Sequence, residues 1–92
     1  MINGFRHKGL QQLYEKNSRK GLPAALIDKI SRILARLDVA STPEHMDIPA
    51  LRLHALKGEL KGYWSVWLTG NWRIVFRFEG TNVTDVDLID YH

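Results

Sequence analysis

Between Gly62 and Phe78 the chain reads GYWSVWLTGNWRIVFRF, two alternating stretches on either side of a short polar break. In the first, Trp64, Val66 and Leu68 share one face and Tyr63, Ser65 and Trp67 the other. In the second, Ile74, Phe76 and Phe78 oppose Arg73, Val75 and Arg77. A period of two in aromatic and β-branched residues, interrupted at Thr69-Gly70-Asn71, predicts a β-hairpin. One face of this hairpin is wholly apolar and must be covered by another part of the chain. The other sets aromatics beside two arginines, which apolar packing alone does not explain. Helical periodicity upstream supplies the cover. Leu10, Leu13 and Tyr14 recur at helical spacing between His7 and Lys16. Gly21 is a natural stop, and Pro23 suits the first turn of a second, stronger helix. Its apolar face is Leu22, Leu26, Ile30, Ile33, Leu34 and Leu37, with Lys29, Arg32 and Arg36 off it.

The remaining segments complete the sheet. Ile2 to Phe5 reads as an edge strand, and Ala40 to Pro49 as a loop in which Ser41-Thr42-Pro43-Glu44 caps a single helical turn. Leu51 to Leu56 predicts a strand, Lys57 to Gly62 a polar turn, and Val83 to Ile89 a last strand entered through Glu79-Gly80-Thr81-Asn82. The order β-α-α-β-β-β-β gives an α+β fold, both helices on one face of a twisted, mainly antiparallel sheet. No repeat, linker or low-complexity segment interrupts it, so residues 1–92 are expected to form one domain.

Composition narrows the chemistry. With 45% hydrophobic and 25% charged residues the chain is ordered and globular in type. It has no cysteine, which excludes disulfides, thiolate metal sites and Cys nucleophiles, and suits a reducing cytosol. The opening MINGFRHKG is charged within six residues and builds no apolar run, so neither a signal peptide nor a membrane span is expected. The net charge of +3 is unevenly spread. Eight bases face two acids up to Arg36, and five bases face one acid from Arg52 to Arg77. The stretch between these blocks and the last fifteen residues carry only acids. Such polarisation favours an anionic partner, nucleic acid or an acidic protein segment, unless the charges are only solvated faces.

No phosphate-cradling glycine motif, HExxH or GxSxG is present, and His7, His45, His54 and His92 lack ligand-like spacing. Neither a metal nor another cofactor is therefore expected. What remains lies in the sheet half: His54 within Leu53-His54-Ala55-Leu56, which parity places beside Arg52 and opposite Leu53; Arg73 after Asn71-Trp72; and the closing Asp90-Tyr91-His92. Each alone has an ordinary explanation, as a packed or solvated histidine, a surface arginine or a frayed terminus. Together they supply what RNA transesterification needs: a base for the 2′-hydroxyl, an acid for the leaving oxygen and a cation at the phosphate. Imidazole exchanges protons near neutrality, and the guanidinium fork matches phosphate oxygens. Exposed Tyr and Trp offer stacking surfaces for unpaired bases.

These residues resemble the HigB toxins, a branch of the RelE/ParE superfamily also called plasmid-maintenance killer proteins. The likeness runs through Ile2…Phe5-Arg6-His7-Lys8-Gly9-Leu10, Leu53-His54-Ala55-Leu56-Lys57-Gly58 and Gly62-Tyr63-Trp64-Ser65-Val66. It continues through Asn71-Trp72-Arg73-Ile74 with Phe76 to Asp90-Tyr91-His92. The resemblance implies a RelE-like fold and a cytoplasmic type II toxin, neutralised by a helix-turn-helix antitoxin (HigA-like). That antitoxin represses the shared operon, so operator DNA is reached only through it. The implied activity is metal-independent endonucleolytic cleavage of mRNA in the ribosomal A site, against 16S rRNA, which inhibits translation. His54, Asp90, Tyr91 and His92 match the family's catalytic positions. Arg73 and Lys57 are expected at phosphate, with Lys16, Arg19, Lys20, Lys29, Arg32 and Arg36 gripping ribosomal RNA. Strand parity sets Tyr91 opposite Asp90 and His92, so the three converge only if the tail bends or twists. Two alternatives share the fold: a ParE-like gyrase poison without nuclease activity, and an inactive antitoxin-binding module.

Overall fold

The apolar stripes decide where the helices lie. In the computed structural model, which describes residues 1–91, α1 (Lys8–Lys16) and α2 (Ile27–Val39) cover one face of a four-stranded sheet. Its strands are β1 (His54–Ala55), β2 (Tyr63–Thr69), β3 (Trp72–Glu79) and β4 (Asn82–Asp90), in sequential order and antiparallel throughout. Phe76, Ile74, Leu68 and Val66 from the sheet meet Leu10, Ile30 and Leu37 from the helices, all without exposure. Burial of each such side chain contributes about 1.5–3 kcal/mol. Met46, from a single 3₁₀ turn over Pro43–Met46, closes one end of this core.

Polar side chains fix the ends. His7 Nδ1 accepts from the Leu10 amide at 3.2 Å and caps α1, which stops at Asn17 in the left-handed region. Tyr14 on α1 donates its hydroxyl to Asp38 Oδ1 on α2 at 2.5 Å, and the Ile2 amide donates to the same oxygen at 3.1 Å. The bond from Tyr14 holds the Asp38 carboxyl below its ordinary range, while Asp38 and burial raise the Tyr14 phenol. One carboxylate thus ties both helices to the start of the chain.

The α+β order agrees with the pattern, but several elements differ in extent. Pro23 precedes a 3₁₀ turn, Ala24–Leu26, so α2 proper starts only at Ile27; Leu22 stays outside it yet packs on the core. The expected strand over Leu51–Leu56 shrinks to two residues. Pro49 opens a 3₁₀ turn ending at Leu51, and Arg52 adopts φ 49°, ψ 52°, which breaks the extended run. The expected edge strand over Ile2–Phe5 is reduced to two parallel bridges, Ile2 to Val83 and Phe5 to Val86.

One irregularity in β4 has its cause in the spacing of two valines. Val83 and Val86 are three apart, so strict alternation cannot bury both. A bulge resolves this. Val75 pairs with Asp87 but Arg77 with Thr84, and Asp85 takes up the extra residue at φ 54°. Both valines are then fully buried. Beyond the bulge Asp87, Ile89 and Tyr91 follow the parity of Val75 and Arg73, on the sheet face away from the helices. Among the described residues no helix is long and apolar enough to cross a membrane.

Candidate active site: a cleft on the open face of the sheet

The open face carries two arginines, and its neighbours give them different fates. Arg77 is neutralised: its Nε lies 2.7 Å from Asp85 Oδ2, which also accepts the Tyr63 hydroxyl at 2.9 Å, and its Nη2 lies 3.5 Å from Glu79. The guanidinium and the phenol together hold the Asp85 carboxyl below its ordinary range. Arg73 is held by neutral groups instead. Its Nη1 donates to the carbonyls of Gly70 and Trp72, each at 3.3 Å, and its guanidinium lies 6.0 Å from the Tyr91 ring centroid.

Register builds the site around Arg73. His54 pairs with Ser65 across β1 and β2, and Ser65 with Val75 across β2 and β3. In the next row Trp67 pairs with Arg73, and Arg73 with Ile89. Antiparallel partners project to the same side, so His54, Ser65, Trp67 and Arg73 share the open face, and the Tyr91 amide bonded to the Asn71 carbonyl at 2.7 Å holds the tail against it. The result is an open cleft of ≈ 370 Å³ lined by Arg52, His54, Ser65, Arg73 and Tyr91. It offers an imidazole, a phenol, a hydroxyl and two guanidinium groups, a set suited to an anionic phosphodiester and to proton transfer beside it.

Of the residues singled out in the sequence, His54, Arg73 and Tyr91 meet here. Asp90, the last residue of β4, stands opposite Trp72 in register and is exposed; it is not among the residues lining the cleft. His92 lies outside the described residues. Lys57 is exposed, just before the 3₁₀ turn Gly58–Leu60. Lys29, Arg32 and Arg36 rim a separate cleft of ≈ 280 Å³ between α2 and the Ile48–Leu51 segment. Lys16, Arg19 and Lys20 are exposed at the end of α1 and just beyond it. Sequence reasoning did not assign Arg52 or Ser65 to the site. For Arg52 a signal existed, a cation on the parity of His54; for Ser65 only the strand register reveals the pairing. Among the described residues no three His, Cys, Asp or Glu side chains gather as a metal site requires.

Two helices over one face of an antiparallel sheet, with a cationic cleft on the other, define an α+β fold of the YoeB kind. The solved YoeB dimer from Staphylococcus aureus shares the fold, with a TM-score of 0.60 at 17% identity over 99% of this chain and 97% of that one. The chain belongs to the HigB-like toxins: a family model described as a RelE-like toxin of the type II toxin-antitoxin system HigB matches residues 3–92. Endoribonuclease HigB of Proteus vulgaris is 39% identical over 92 residues, the full length of both chains. Toxin HigB-1 of Vibrio cholerae serotype O1 is 33% identical over 76 residues, 80% of each. Membership in a type II system implies a cognate antitoxin.

Proposed function

We propose that this toxin is a ribosome-dependent endoribonuclease that cuts mRNA in the A site by metal-independent transesterification. The observation that carries the reading is the convergence of His54, Arg73 and Tyr91 in one cleft. It is supported by full-length similarity to a protein named as an endoribonuclease. In the reaction the 2′-oxygen attacks the adjacent phosphorus as a base removes its proton. The bond to the 5′-oxygen breaks as an acid protonates it, leaving a 2′,3′-cyclic phosphate and a 5′-hydroxyl. His54 and His92 are the proton carriers, one base and one acid. Asp90 orients a histidine in its working tautomer, Arg73 binds the scissile phosphate, and Tyr91 positions sugar or base. Lys57 adds a further phosphate contact, and Lys16, Arg19, Lys20, Lys29, Arg32 and Arg36 grip ribosomal RNA. A helix-turn-helix antitoxin silences the toxin and carries it to operator DNA.

Expression in a translating extract tests the reading. Mapped mRNA ends should fall in the A site, carry cyclic phosphate and require ribosomes. Substitution His54→Ala or His92→Ala should slow cleavage about 10²–10⁴-fold, the usual contribution of a positioned acid or base, with antitoxin binding intact. Intact mRNA with arrested DNA supercoiling would replace the nuclease by a gyrase poison, and full cleavage by both variants would remove the histidines from the chemistry.

A further inference from the structure

Arg52 occupies a position that ordinary packing does not call for. Its backbone is left-handed, at φ 49° and ψ 52°, a conformation that costs a non-glycine residue about 1 kcal/mol and persists where its surroundings impose it. The turn directs the side chain onto the open face, where the guanidinium lies 4.3 Å from the Trp67 ring centroid. That ring is itself fixed. Its Nε1 donates to the Gly70 carbonyl at 3.0 Å, and Lys29 Nζ lies 4.3 Å from the same centroid while donating to the Leu68 carbonyl. The Gly70 carbonyl that receives Trp67 also receives Arg73. Arg52 and Arg73 are therefore aimed into one cleft, with His54, from a common scaffold of indole and turn. A single scissile phosphate needs one such fork; a second, stacked on an indole and lining the same cleft, matches a second phosphate of the same strand.

We propose that Arg52, carried on Trp67, is a second phosphate-binding residue of this cleft, holding the phosphodiester of a nucleotide next to the scissile linkage. The proposal rests on the endoribonuclease reading of the same cleft. Trp67 is the positioning residue: it removes rotamer freedom from Arg52 before RNA arrives.

The test is binding of a short single-stranded RNA made uncleavable by a 2′-deoxy substitution at the scissile position, measured against salt. Each phosphate contact to a single strand contributes about 0.7 to the slope of log affinity against log salt. Arg52→Ala should lower affinity about tenfold and flatten the slope by about 0.7. Arg52→Lys should restore the slope, because the charge returns. Trp67→Leu should weaken binding with the slope largely kept, as the cation remains but is no longer pre-positioned. Lys8→Ala, on α1, should change neither. An unaltered slope in Arg52→Ala, an equal loss in Lys8→Ala, or no salt-dependent binding by the wild type would each overturn the subsite. Cleavage of ribosome-bound mRNA is followed in parallel. A wild type that binds with the expected slope but never cuts overturns the nuclease reading instead, so the two failures are distinguishable.

Discussion

Arg73 and Arg77 stand four residues apart on the same face of β3, and their neighbours leave one ion-paired and the other held by uncharged groups. Asp85, Glu79 and Tyr63 surround Arg77, whereas carbonyls and an aromatic ring hold Arg73. Replacing Arg73 with Ala should therefore cost turnover without unfolding the protein. Arg77→Ala should do the reverse, lowering the thermal midpoint while leaving cleavage by the folded fraction intact. Cleavage assays and thermal melts on the two variants give the check. Tyr14 offers a second contrast. Its hydroxyl bonds a carboxylate and its ring packs against Phe5 at 5.4 Å between centroids, so Tyr14→Phe keeps the ring contact and removes only the bond. A loss of about 1–2 kcal/mol is expected in urea unfolding, with activity unchanged.

At the scale of elements, α2 presents a buried stripe of Ile27, Ile30, Ile33, Leu34 and Leu37 to the core and an exposed Arg32 and Arg36 to solvent. Arg36 also donates to the His45 carbonyl at 2.9 Å, so Arg32 is the cleaner probe of RNA contact. Arg32→Glu should reduce ribosome association most at low salt, where charge attraction is strongest, and leave the melting temperature nearly unchanged. Equal association at all salt concentrations would remove α2 from the ribosomal interface. These helices were legible because the 3.6-residue period survives in sequence. The hairpin was legible because Thr69-Gly70-Asn71 separates two alternating runs. A strand after Leu51 was legible too, but not its two-residue length, which depends on a left-handed Arg52 that no local pattern announces.

For the molecule as a whole, the polar ties set how stability responds to pH. Asp38 and Asp85 are held below their ordinary carboxylate range, so their contribution is present at neutral pH and is lost as pH falls below about 4. Tyr14 is raised, so its contribution is present below about pH 10 and is lost as pH rises further. The melting temperature should form a plateau that falls at both ends, and Tyr14→Phe should flatten the alkaline fall. A wild-type midpoint unchanged at pH 11 would contradict the role given to the Tyr14 bond.

The amino-acid order by itself determined the two helices, the central hairpin, the face each buries and the residue types available for proton transfer and phosphate binding. These follow from periodicity and side-chain chemistry, which are local. Tertiary structure alone decided which of those residues meet. His54 reaches Arg73 only through the register of β1 on β2 and of β2 on β3. Tyr91 arrives beside Arg73 because the bulge at Asp85 adds one residue to β4 and thereby sets the face of everything after it. A strand's side chains alternate, so one extra residue exchanges its faces. Whether that residue is absorbed depends on burying Val83 and Val86 together against helices far away in the chain.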